Sequence, residues 1–148
     1  MLNIRRISCE DRTAFISMAK EFYSTDAVVR RVPDGHFAAT FDELMRSDDY
    51  AVCYVFEFDG AIAGYALLAR TFSQEAGGFV LWIEEIYVLP QFRKNGIGRA
   101  FFDFLLKSRP SEVKRLRLEV ERQNEGAVRL YKSFGFDFLE YDQMIIDF

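Results

Sequence analysis

Arg93-Lys94-Asn95-Gly96-Ile97-Gly98-Arg99 sets three cations around two glycines that are separated by a single residue. The run stands between an apolar stretch ending at Val88-Leu89-Pro90 and a stretch in which Ile97, Phe101 and Leu105 recur at helical spacing. Such a junction suits an anion, because a helix start offers unpaired backbone N–H groups and the positive end of its dipole. Gly96 and Gly98 have no Cβ, so backbone and ligand can approach closely. Arg93, Lys94 and Arg99 add charge, and arginine can hold a phosphate through two N–H groups at once. A bare Gly-x-Gly is commonly no more than an easy turn. The density of basic residues, and the position after a strongly apolar strand, point further, to a pyrophosphate-sized anion.

A second set of chemistry-bearing residues is acidic. Trp82-Ile83-Glu84-Glu85-Ile86 buries two adjacent carboxylates in an apolar strand, and Glu119 ends the run Arg115-Leu116-Arg117-Leu118-Glu119. Successive strand side chains face opposite ways, so at most one of Glu84 and Glu85 looks into a given cleft. A partly buried carboxylate has a raised pKa and is fitted to accept a proton; the plainer alternative is a solvated or ion-paired glutamate. Tyr131 shares a helix face with Ala127 and Phe134, where a tyrosine is commonly a core aromatic with its hydroxyl at the edge. With His36 as the one histidine, a multi-histidine metal site is excluded, and no metal is expected. Cys9 and Cys53 form no CxxC pair and read as buried or half-buried free thiols. No histidine lies near Cys53 in sequence to make it a nucleophile.

The elements that must position these groups follow from periodicity and punctuation. Ile4–Ile7 reads as a first strand, and Asp11–Tyr23 and Pro33–Arg46 as amphipathic helices. Tyr50–Phe58 and Ala61–Arg70, joined by Asp59-Gly60, form a predicted hairpin. After Gly77-Gly78, Phe79–Val88 is apolar on both faces and should be a strand covered on both sides. A helix over Ile97–Ser108 and a strand over Arg115–Val120 come next. Asn124 N-caps a helix reaching Phe134, Gly135 caps its end, and Phe136–Tyr141 and Gln143–Phe148 read as two closing strands. The order is βααβββαβαββ: an α/β domain over residues 1–148, with a mixed, mostly antiparallel sheet of about seven strands and four helices.

Composition sets the outer bounds. Half the 148 residues are hydrophobic, 16 of them Phe, which is ample for a packed core. A net charge of −4 and the lack of a basic stripe argue against nucleic acid and are compatible with a cationic substrate. No apolar run is long enough to span a bilayer and no signal-peptide pattern follows Met1, so a cytoplasmic protein without membrane partners is expected.

Arg93-Lys94-Asn95-Gly96-Ile97-Gly98 resembles the [R/Q]-x-x-G-x-[G/A] acetyl-CoA motif of the GNAT N-acetyltransferase superfamily. Asn124 to Phe136 (NEGAVRLYKSFGF) resembles that family's N-x-x-A-x-x-L-Y-x-x-x-G-F. Two motifs in the right order and separation are far more specific than either alone, and the element order agrees with the GNAT fold. The resemblance covers essentially the whole chain, most weakly over Arg12–Ser47. It implies direct acetyl transfer from acetyl-CoA to an amine. Cofactor contacts are implied for Ile86, Tyr87 and Val88, where the strand splays, for Arg93, Lys94, Asn95, Gly96, Ile97, Gly98 and Arg99, and for Asn124 and Tyr131. It also implies that Tyr131 protonates the leaving sulfur.

The Leu-x-x-Glu-Glu pattern at Leu81–Glu85 is similar to diamine (spermidine/spermine-type) acetyltransferases, which makes Glu84 the preferred base. Glu85, Glu119 or a water remain alternatives, and the same three glutamates, with Asp26 and Asp34, are candidates to attract a cationic acceptor. The acceptor is expected to be a small amine of polyamine, aminoglycoside or amino-acid type; a protein N-terminus or lysine is the alternative. A non-catalytic acyl-CoA sensor would need neither Tyr131 nor Glu84. A nucleotide-binding module would need the third glycine of a Rossmann loop or the Gly-Lys-Ser/Thr of a Walker loop. A homodimer is left open as the assembly.

Overall fold

In the computed structural model, which describes residues 1–25 and 30–148, the Asp59-Gly60 hairpin forms as expected. Both turn residues have positive φ, 50° and 83°, as a type I′ connection requires. The hairpin joins β2 (Ala51–Phe58) to β3 (Ala61–Ser73), and β1 (Leu2–Arg6) lies antiparallel to β2. After the turn at Gly77, β4 (Gly78–Val88) returns antiparallel to β3. The helix α3 (Ile97–Ser108) then carries the chain across to β5 (Val113–Leu118), which pairs parallel to β4. A parallel neighbour needs such a crossover. The sheet order is β1-β2-β3-β4-β5.

Helices cover both faces. On one, α1 (Arg12–Phe22) and α2 (Asp34–Arg46) bury Phe15, Met18, Phe37 and Phe41 against Cys53, Tyr65 and Tyr87 of the sheet. On the other, α3 buries Ile97, Phe101, Phe102 and Leu105 against Phe56, Leu68, Leu81 and Ile83. The last helix, α4 (Glu125–Ser133), lays Leu130 and Tyr131 on that second core. Burying one such aromatic or aliphatic side chain contributes about 1.5–3 kcal/mol, so these two clusters hold the helices to the sheet. No helix among the described residues is long and apolar enough to cross a membrane.

Two features of β4 shape this end of the sheet. Leu68 pairs with Ile83, but the next residue back on β3, Leu67, pairs with Glu85. Glu84 is thus an extra residue, a β-bulge, and the facing of the strand changes phase there. Ile83 and Ile86 both join the α3 core, while Glu85 and Tyr87 face α1 and α2. The alternation that would put Glu85 on the face of Ile83 is broken at that bulge. Gly64 of β3 is pressed against the same strand: a Cβ there would lie 2.1 Å from the Tyr87 carbonyl oxygen.

Two expectations from the sequence are overturned. Phe136–Tyr141 and Gln143–Phe148 are not strands; the sheet has five strands among the described residues, not seven. Alternating apolar residues fit a pleated surface, yet a strand exists only where its backbone groups find a partner. This segment instead makes side-chain contacts: Gln143 Nε2 donates to Glu119 Oε1 at 2.6 Å, and Asp147 pairs with Arg30. Tyr141, Met144, Ile145, Ile146 and Phe148 stay exposed. Of the two thiols, Cys53 is buried, but Cys9 is exposed, because it lies in the turn between β1 and α1.

Candidate active site

The parallel ladder between β4 and β5 ends at Ile83 and Leu118. Beyond it β4 continues to Val88, bonded to β3 on one side through Ala66↔Ile86, Tyr65↔Tyr87 and Gly64↔Val88. On its other side, Ile86, Tyr87 and Val88 have no strand partner among the described residues. The two strands therefore form a fork, and β4 presents to it a backbone edge with no strand paired, its Val88 carbonyl held by Arg93, which an extended ligand could use as a strand would.

Glu84 and Glu119 stand at the base of that fork, one just past Ile83 and the other just past Leu118. Both reach solvent. Even so, partial burial pushes the Glu84 pKa up, and the negative charges of Glu119 and Glu85 push it the same way. Glu85 is placed differently. It is 8% exposed, on the α1–α2 side, with Tyr23 Oη donating to one carboxylate oxygen at 2.6 Å and Tyr65 Oη to the other at 2.5 Å. Burial raises its pKa, and the two hydroxyl donors partly offset that. Nothing local in the sequence marks Tyr23 and Tyr65 as its partners; they come from α1's end and from β3.

The loop after β4 is held by its own side chains. Arg93 Nε donates to the Val88 carbonyl at 2.9 Å, and Asn95 Nδ2 donates to the Phe92 carbonyl at 3.0 Å. Lys94 and Gly96 sit in the left-handed region at φ 66° and 73°. Gly96 is the N-cap of α3, no side chain caps that helix, and its first internal bond runs from Ala100 N to Gly96 O. The N–H groups of Ile97, Gly98 and Arg99 therefore lack intrahelical acceptors. A Cβ added at Gly96 or Gly98 would meet no atom within 4 Å, so space stands open over these amides. Successive amides around a left-handed residue make an anion-binding concavity. Arg99 leans the other way, with its guanidinium over the Phe134 ring at 5.2 Å and one N–H on Ser133 Oγ, and so ties α3 to α4.

On the β5 side, a cavity of about 630 Å³ is lined by Leu118, Glu119, Val128, Tyr131, Phe136 and Gln143, among others. The Tyr131 ring packs on Phe102 with centroids 5.5 Å apart, and burial pushes its hydroxyl pKa up, so it stays protonated at neutral pH. Glu84 is not part of this cavity's lining. Asn124 caps α4, its Oδ1 accepting from Ala127 N at 3.2 Å. Tyr87 Oη is buried with no hydrogen-bond partner at bonding distance among the described residues; burial and the nearby Glu21 carboxylate push its pKa up to about 12. Asp34 is exposed and paired with Lys20, and Asp26 lies outside the described residues. The fork thus brings Glu84 and Glu119 to its base, and β4 runs on from it through Ile86, Tyr87 and Val88 into the α3 loop. Glu85 and the Tyr87 side chain belong to the α1–α2 layer.

Comparison with known proteins agrees with this architecture. The chain is 24% identical over 85 residues to the spermine/spermidine N(1)-acetyltransferase of Bacillus subtilis (strain 168); the match spans 55% of this chain and 56% of that protein, about half its length. In structure it is similar to an aminoglycoside N-acetyltransferase in complex with the bisubstrate analogue CoA-S-monomethyl-acetylneamine, with TM-score 0.80, 16% identity, and 99% and 98% of the two chains covered. It is likewise similar to the ribosomal-protein-alanine N-acetyltransferase of Brucella melitensis biovar Abortus 2308, with TM-score 0.76, 21% identity, and 100% and 99% covered. At these identities the structural likeness speaks for the fold. The profile of the Acetyltransferase (GNAT) family, however, matches residues 13–136, most of the sequence. The chain belongs to the GNAT acetyltransferase family.

Proposed function

We propose that this protein transfers an acetyl group from acetyl-CoA directly to the primary amine of a small molecule. The observation that carries the reading is the fork: β4 loses β5 after Ile83, throws out Glu84 at a bulge, and runs on into an uncapped helix N-terminus with open space over Gly96 and Gly98. A nucleotide thioester with a pyrophosphate and a long amide arm fits those parts in order. The amides of Ile97, Gly98 and Arg99 hold the pyrophosphate, with Arg93 and Lys94 adding charge. The free edge of Ile86, Tyr87 and Val88 pairs with the amide arm. Acetyl-CoA supplies the activated acyl group; the protein supplies position and protons.

An alkyl amine with a pKa of about 10.4 arrives protonated at neutral pH and must lose a proton to attack. Glu84, its pKa raised, holds the ammonium ion and accepts that proton, directly or through a water. Tyr131 Oη gives a proton to the leaving sulfur. The similarity to a spermine/spermidine acetyltransferase and the acidic base of the fork, Glu84 with Glu119, favour a cationic small amine. The test is to offer spermidine, an aminoglycoside, free amino acids and an alanine-initial peptide with acetyl-CoA and compare kcat/KM. The reading requires a small polycation to lead, and a peptide that outperforms every small amine would overturn the acceptor class.

A further inference from the structure

Glu85 is a buried carboxylate that the proposed mechanism leaves unused. It directly follows the bulged Glu84, and its two oxygens are held from two separate elements, Tyr23 Oη at the end of α1 and Tyr65 Oη on β3. Tyr65 is 0% exposed and sits within the α1–α2 cluster, its ring 5.2 Å from Phe15 and 6.3 Å from Tyr87. We propose that the Tyr23–Glu85–Tyr65 unit is a positioning device that fixes the β4 bulge and so aims Glu84 into the fork. The proposal rests on Glu84 being the base.

A bulge on its own is a soft feature: one residue is unpaired, and the strand can slip by one to restore the ladder. A slip here would carry Glu85 to the α3 face, away from both hydroxyls, and Glu84 into the aromatic cluster. Leaving a buried carboxylate without donors costs more than the two neutral hydrogen bonds are worth in themselves, so the pair of tyrosines selects one register strongly. Tyr23 also links that register to α1, which ties the proposed base to the helix next to the α1–α2 loop. Electrostatics give the device a second effect. Besides its two tyrosines, Glu85 acts on Cys53 of β2, while Glu84 feels Glu119 beyond β5 and Glu85 on its own strand, and itself acts on Tyr23 at the C-cap of α1. Burial and Glu119 come first in raising the Glu84 pKa, and Glu85 adds to them from the neighbouring position on the strand.

The experiment is the pH profile of kcat/KM for acetyl transfer to spermidine, in wild type, Glu84→Gln, Glu85→Gln and Tyr65→Phe, with acetyl-CoA binding followed by calorimetry. Glu85→Gln should bind acetyl-CoA as wild type does, lose about 10²-fold in kcat through misplacement of Glu84, and shift the acidic limb of the profile to lower pH. The shift is the reading that a merely structural glutamate would not produce. Tyr65→Phe should lower kcat in the same direction with the KM for acetyl-CoA unchanged. An acidic limb and kcat at wild-type values in Glu85→Gln would overturn the proposal. Should Glu85→Gln fail to fold, a wild-type kcat in Tyr65→Phe overturns it instead. The underlying assignment fails separately: a wild-type acidic limb in Glu84→Gln shows that Glu84 is not the base at all.

Discussion

Ile83 and Leu118 form the last rung of the parallel ladder between β4 and β5, and the next residues along the two strands bring Glu84 and Glu119 to the fork that opens there. Because both carboxylates stand at the same opening, either could serve the amine. The bulge favours Glu84, since it places that residue out of the ladder with a raised pKa, whereas Glu119 is engaged by Gln143.

Exchanging each glutamate for glutamine separates the two. Glu84→Gln keeps the size and removes charge and basicity, so kcat/KM for an amine should fall by about 10²–10⁴-fold. Glu119→Gln should act mainly on KM, as loss of an attraction for the cation does. Steady-state kinetics with spermidine decide between them, and a larger loss of kcat in Glu119→Gln would move the base to Glu119.

Gly98→Glu places a bulky anion over the amides of α3. Its Cβ meets nothing within 4 Å, so the protein should fold with an unchanged melting temperature and show no acetyl-CoA binding by calorimetry. Gly96→Asp should also abolish binding, and because φ is 73° there it should lose about 1 kcal/mol of stability besides. Undiminished binding in both variants would remove the loop from the site.

Tyr131→Phe keeps the ring contact with Phe102 and removes only the hydroxyl. Cofactor affinity should persist while turnover falls by about 10²-fold. Wild-type turnover would mean that water protonates the sulfur.

The parts of this site made from contiguous residues could be read from the sequence. Gly96, Gly98 and their basic neighbours form a local strand–loop–helix, and α3 runs over Ile97–Ser108 as its periodicity says. Asn124 likewise caps the helix it precedes. What could not be read depends on pairing between distant residues. The bulge at Glu84 is a mismatch of β4 with β3, and it reverses the facing that alternation gives Glu85. Tyr23 lies 62 residues from Glu85, and no spacing rule joins them. The closing strands failed for the same reason: Phe136–Phe148 has strand-like composition, but composition does not supply a partner edge.

A structural prediction concerns Asp11, 4% exposed, which takes two N–H groups of Arg5 at 2.8 and 2.9 Å and the Ser8 amide at 2.8 Å. The Arg5 guanidinium first, and the Ser8 donors after it, hold the carboxyl down at about 2 against burial. Its folded pKa lies below the unfolded value, so the stabilisation is complete above about pH 4 and is lost as pH falls toward 2. Asp11→Asn should cost on the order of 2 kcal/mol at pH 7 and flatten the acid side of the stability curve. Urea melts at pH 3 and pH 7 check this; equal losses at both would contradict it.

The most direct test of the central claim is amine-dependent release of free CoA thiol from acetyl-CoA, followed together with the mass of the acceptor. Wild-type protein should release thiol only when a primary amine such as spermidine is present, the amine should gain one acetyl group, and Gly98→Glu should do neither. Thiol release that ignores the amine, or no release with any small amine or peptide, would contradict the assignment of acetyl transfer to this fork.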